Sequence, residues 1–255
     1  MKAILFLGQV GALISSVHAH YYFSIFVVNK TETPEWKYIR DVAIEEGFGP
    51  YTWQKGRPQY DLDSPDFVCG RSAFLAANKT ETADVVAGDI VGFHLTHEFD
   101  DSGNYDIFHQ GYASAFLARA PNDDITSFSG VGYDKWFKID FVGASMDAIP
   151  PGGWITYQKT SINFTIPERV PPGKYLLRLE HIMNRRNNEI NEPECYIQCA
   201  QVNIMGQGGG VFINEDFTKF PGAYSIDDEK FTKLSTLEPM EYNKEQGPGP
   251  AVWTG

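Results

Sequence analysis

Apolar and polar residues alternate with a period of two in three stretches of the chain. Val91, Phe93 and Leu95 are interleaved with Gly92 and His94; Phe137, Ile139 and Phe141 with Lys138 and Asp140; Ile162, Phe164 and Ile166 with Asn163 and Thr165. Each run presents one apolar face, as a half-buried strand does. Residues 113–118, 175–182 and 196–204 are further strand candidates, and turns are predicted at Pro150-Pro151-Gly152-Gly153, Pro171-Pro172-Gly173 and 206–210. Many short strands punctuated in this way predict an all-β chain folded as an immunoglobulin-like or fibronectin-like antiparallel β-sandwich. The polar stretches 32–66 and 123–133 exceed ordinary hairpin lengths, so long loops are expected to carry function.

The first residues break this pattern. Lys2 is followed by a mostly apolar run over 3–14, and Val17-His18-Ala19 places small residues where a signal peptidase inspects the chain. The run is too short for a membrane anchor. Residues 1–19 are therefore expected to be a leader, and residues 20–255 one secreted domain, since no repeat, heptad or linker marks a second. Cleavage after Ala19 would make His20 the first residue, able to chelate a metal through its α-amine and its imidazole, and copper is the first metal to consider.

Composition narrows the partners. The net charge of −12 becomes more negative when Lys2 leaves with the leader, and such a surface repels nucleic acid and anionic membrane. A neutral partner and a monomeric chain are expected. Cys69, Cys195 and Cys199 allow one disulfide and leave one thiol over. Asn29, Asn78 and Asn163 head Asn-x-Ser/Thr triplets, candidate glycosylation sites on a secretory route.

A metal site needs a second ligand, and beyond the leader the histidines are His20, His94, His97, His109 and His181. His94 sits in a strand alternation, opposite the apolar face; His97 lies beside a run of acids; His181 lies on an apolar strand. These read as a sheet, a loop and a structural histidine. His109 precedes Gln110-Gly111 and a strand, which places it on a loop at the sandwich edge.

At this point the residues carry a resemblance. His20 behind the leader, Ser64-Pro65-Asp66-Phe67-Val68-Cys69, Ala87-Gly88-Asp89-Ile90-Val91-Gly92-Phe93, His109-Gln110-Gly111 leading to Phe116-Leu117-Ala118-Arg119-Ala120-Pro121, Glu180-His181-Ile182, Tyr196-Ile197-Gln198-Cys199-Ala200-Gln201, Phe220-Pro221-Gly222-Ala223-Tyr224 and Pro248-Gly249-Pro250-Ala251-Val252-Trp253 occur in this order over nearly the whole chain. Together they resemble the fungal lytic polysaccharide monooxygenases of auxiliary activity family nine, formerly glycoside hydrolase family 61. The resemblance implies a copper ion held by the His20 amine and ring and by His109, with Tyr196 as axial oxygen donor. Amine and imidazole nitrogens suit cupric copper, which tops the divalent affinity order. It also implies a Cys69–Cys199 disulfide, with Cys195 left over, and oxidative cleavage of cellulose or a related β-1,4-glucan at C1, C4 or both, using an external reductant and O2 or H2O2. Tyr21, Tyr22 and Tyr242 are the candidate sugar-stacking residues of a flat face.

The sequence also departs from the family. Arg185 and Glu194 stand where members usually have a histidine and a glutamine that donate hydrogen bonds near the copper, and Tyr112 replaces a proline. A carboxylate would exchange a neutral donor for an acceptor, and Arg185 and Glu194 are expected to act in the catalytic surroundings, as a charged pair beside the metal. Two further readings stay open on these replacements: a copper- or glycan-binding protein with little turnover, and a surface protein that keeps the scaffold without metal. A two-carboxylate hydrolase is disfavoured, because no acid pair stands at a defined spacing.

Overall fold

The computed structural model describes residues 20–44, 46–47, 52–96, 106–183, 193–228, 231, 239–244 and 246–255. The expected leader, His97 and Arg185 lie outside the described residues. Among the described residues ten strands make two sheets: β1 (Phe23–Val28), β2 (Thr31–Glu32), β3 (Ala83–Val86), β4 (Ile90–Leu95), β5 (Tyr112–Arg119), β6 (Trp136–Val142), β7 (Ser161–Thr165), β8 (Gly173–Met183), β9 (Glu194–Met205) and β10 (Phe217–Thr218). One sheet runs β2-β1-β4-β7 and the other β10-β6-β5-β8-β9-β3. The expected β-sandwich is present. Its pairs are antiparallel except β3, which lies parallel to β9 from Ala83↔Val202 to Val86↔Met205.

The two sheets enclose one core. Phe23 and Phe26 of β1, Val91, Phe93 and Leu95 of β4, and Ile162 and Phe164 of β7 meet Leu117 of β5, Leu177 and Leu179 of β8, and Ala200 and Val202 of β9. Each fully buried phenylalanine contributes about 1.5–3 kcal/mol by leaving water.

The outer face of the six-stranded sheet is covered as well. Phe116, Trp136, Leu176, Ile197 and Cys199 pack there under Val42, Leu62, Phe67, Phe220 and Tyr224 from long connections. Strands covered on both faces lose the apolar-polar alternation, and β5, β8 and β9 are accordingly buried along almost their whole length. Two links hold the cover down. The Cys69–Cys199 disulfide closes a separation of 130 residues. Arg178, fully buried, donates to the carbonyls of Val68 and Phe67, pairs with Glu180 and lies 3.9 Å from the centre of the Phe220 ring. Cys195 is a free, buried thiol, as the count of three required.

Antiparallel pairing fixes where the site can form. Tyr112 pairs with Ile182, Ile182 with Cys195, and Phe23 with Leu95. The starts of β1, β5 and β9 and the ends of β4 and β8 therefore gather at one end of the sandwich.

Candidate metal centre

His20 enters this end three residues before β1 starts at Phe23. Its neighbour Tyr21 anchors it: the Tyr21 ring stacks on Tyr196 with centroids 4.2 Å apart and planes 18° from parallel, and the Tyr21 hydroxyl lies 2.7 Å from Nδ1 of His181.

His109 arrives on the loop before β5. Gly111 lets that loop press on β8, because a Cβ there would lie 2.1 Å from the carbonyl oxygen of Ile182. The Thr156 hydroxyl donates to the Gly111 carbonyl at 2.6 Å and lies 3.3 Å from Nε2 of His181. Burial and the nearby His109 push the His181 pKa down to about 3, so its ring is neutral at ordinary pH. Burial, then the Glu194 carboxylate, pushes the Tyr21 phenol well above its usual range, so that phenol keeps its proton. Donor and acceptor roles follow. Tyr21 donates to Nδ1 of His181, and the proton on Nε2 faces Thr156. One buried histidine thus ties the residue after His20 to the segment after His109.

The imidazoles of His20 and His109 stand with centroids 6.3 Å apart. Glu194, the first residue of β9, joins them with Oε2 3.2 Å from Nε2 of His109. The same Oε2 accepts the Tyr196 hydroxyl at 2.6 Å. Burial, then Tyr21 and Glu194, raises the Tyr196 phenol well above its usual range, so it remains a donor. Ligand atoms of His20, His109 and Glu194 all lie within 4.8 Å of one another. Two donors on opposite sides of one ion are about 4.2 Å apart, so a side-chain adjustment of about half an ångström would seat a divalent ion. Two nitrogens and one oxygen fit copper(II).

The structure bears differently on the other expected site residues. Tyr196 and Gln198 face inward while Cys195, Ile197 and Cys199 face the outer cover, as strand alternation required. The Tyr196 hydroxyl reaches the imidazole pair by way of Glu194. Tyr21 and Tyr22 are not surface platforms: both are buried, Tyr21 against Tyr196 and Tyr22 stacked 5.4 Å from Trp36, because the entering segment is wedged into the sandwich. Tyr242 ends a helical turn, Pro239–Tyr242, and its side chain lies outside the described residues. The partner expected for Glu194, Arg185, lies outside them too. Asn29, Asn78 and Asn163 are exposed.

One site residue was missed in the sequence. Phe108 is 46% exposed, with its ring edge-on to His109 at 5.5 Å. Glu194 was read as a neighbour of the metal, although strand alternation alone puts it on the Tyr196 and Gln198 face.

The family model for auxiliary activity family 9, formerly GH61, matches residues 20–242. The chain belongs to auxiliary activity family 9. Membership makes it an oxidoreductase of the copper-dependent polysaccharide monooxygenase type. It is 41% identical to the AA9 family lytic polysaccharide monooxygenase U of Thermothielavioides terrestris, an alignment covering 98% of this chain and 97% of that one. It is 34% identical to the family 9 monooxygenase D of Emericella nidulans, covering 96% of this chain and 80% of that one. The fold is also that of a cellulose-active polysaccharide monooxygenase from M. thermophila, at TM-score 0.65 and 21% identity, covering 92% of this chain and 100% of that one. Among the described residues no helix is long and apolar enough to cross a membrane.

Proposed function

We propose that residues 20–255 act as a secreted, monomeric lytic monooxygenase that cleaves β-1,4-glucan chains of the cellulose type at C1 or C4. The observation that carries this reading is the approach of the His20 and His109 imidazoles, with ring centroids 6.3 Å apart, at one end of the sandwich. Trimming after Ala19 frees the His20 amine, which then adds a nitrogen beside its own ring. Copper bound there supplies one-electron chemistry that activates O2 or H2O2 once an external reductant is present.

The protein's own residues do the rest. The Tyr21-His181-Thr156 chain fixes the two histidine-bearing segments. The stacked Tyr21 and Tyr196 rings keep the inner side of the site dry. Phe108 offers an exposed aromatic surface beside His109, on which a sugar ring can stack. The cellulose activity named for the M. thermophila neighbour supports the choice of substrate class. The test is release of soluble oxidised oligosaccharides from cellulose with ascorbate. Their appearance is expected, and their absence from a copper-loaded sample would contradict the reading.

One observation favours a second reading. The Glu194 carboxylate stands 3.2 Å from His109 at the imidazole pair, at the position where the resemblance implies a neutral glutamine. A negative charge there favours the oxidised metal and slows its reduction, which is how a copper-binding protein with little turnover would look. Copper uptake without oxidised products would select it.

A further inference from the structure

We propose that Glu194 is a direct ligand of the metal, so that this chain holds its ion with two imidazoles and one carboxylate, with the freed His20 amine as an additional donor. The inference rests on the copper reading above and goes beyond it by changing the ligand set.

Three observations point to it. The first is spacing: Oε2 of Glu194 lies 3.2 Å from Nε2 of His109, and neighbouring donors on one ion with bonds of about 2.1 Å are roughly 3.0–3.4 Å apart. The pair already has the separation of ligands on a shared ion. The second is burial. Glu194 is 6% exposed, and a buried carboxylate requires strong partners. The Tyr196 hydroxyl supplies one, at 2.6 Å to the same oxygen. That contact orients the carboxylate as an outer hydrogen bond orients a metal-binding carboxylate. The third is position. As the first residue of β9, Glu194 projects to the same face as Tyr196, is buried, and brings a carboxylate oxygen within 4.8 Å of ligand atoms of both His20 and His109. Two imidazoles and a carboxylate form a set that binds divalent first-row ions with open positions left over, so the chain should hold zinc or cobalt as well as copper.

The test is pulsed electron-nuclear double resonance on the copper(II) form of the mature protein grown with 13C-carboxyl glutamate. A strong carboxyl-carbon coupling is expected in the wild-type protein and none in Glu194→Gln. The Glu194→Gln protein is further expected to bind copper(II) at least ten-fold more weakly and to show altered parallel electron paramagnetic resonance parameters. Should the variant fold poorly, the labelled wild-type protein decides alone. Bound copper without the carbon coupling would overturn the ligand assignment and leave the two-histidine site standing. Failure of the wild-type protein to bind copper would overturn both.

Discussion

The hydroxyl of Tyr196 donates to Oε2 of Glu194 at 2.6 Å, joining two residues of one strand face two positions apart. That oxygen also stands 3.2 Å from Nε2 of His109, so the tyrosine hydroxyl helps to hold the carboxylate in place beside that ring. Replacing Tyr196 with Phe keeps the ring that stacks on Tyr21 and removes only the hydroxyl. A hydrogen bond to a charged group contributes about 1.5–3 kcal/mol, so the melting temperature of the metal-free protein should fall. The copper(II) resonance spectrum should broaden or shift as the carboxylate loses its orientation, and an unchanged spectrum would count against this role.

His109 offers a sharper case. Loss of an outer partner of a metal ligand costs about 10–100-fold in affinity, and loss of a ligand should cost more. The His109→Ala protein is expected to bind copper(II) over 100-fold more weakly while keeping its β-type circular dichroism. Near-native affinity would remove His109 from the ligand set.

The buried His181 makes stability depend on acid. Its folded pKa of about 3 lies below the ordinary histidine value near 6.5, so the unfolded chain binds the extra proton between these limits. Stability should be fully present above about pH 6.5 and fall by about 1.4 kcal/mol per pH unit as the pH drops toward 3. Thermal melts of the metal-free protein from pH 7 to 4 would show the slope, and His181→Gln should flatten it. Equal slopes in both proteins would refute this origin.

The sequence made some of this legible for identifiable reasons. Strands β4, β6 and β7 showed their alternation because each includes positions left outside the core. Strands β5, β8 and β9 showed apolar runs instead, because long connections cover their outer face. The parallel placement of β3 was invisible: Ala83–Val86 is four residues long, and its partner lies more than a hundred residues away. His20 was named from the expected leader boundary and His109 from its loop placement, and the ordered motifs joined the two. Tyr21 and Tyr22 were misplaced because adjacency to a ligand does not say which way the chain enters the sandwich.

The disulfide should matter in proportion to the loop that it closes. For 130 residues the chain-entropy model gives about 5 kcal/mol, so Cys69→Ser should lower the melting temperature strongly. Burial, followed by Glu180, pushes the Cys195 thiol well above its usual range. Cys195 should therefore resist alkylation in the folded protein and react on unfolding. Rapid labelling under native conditions would contradict its burial.

Phe108 separates substrate contact from metal binding. Phe108→Ala should weaken adsorption to cellulose several-fold, as loss of one aromatic stacking contact of about 0.5–1.5 kcal/mol implies. Copper affinity should stay at the wild-type value. Unchanged adsorption would place the sugar face elsewhere.

The most direct measurement is a copper(II) titration, followed by electron paramagnetic resonance, of purified protein whose first residue is His20. The account predicts saturation at one copper per chain, with nitrogen hyperfine structure from the imidazoles of His20 and His109. A sample that begins at His20 and takes up no stoichiometric copper would contradict it.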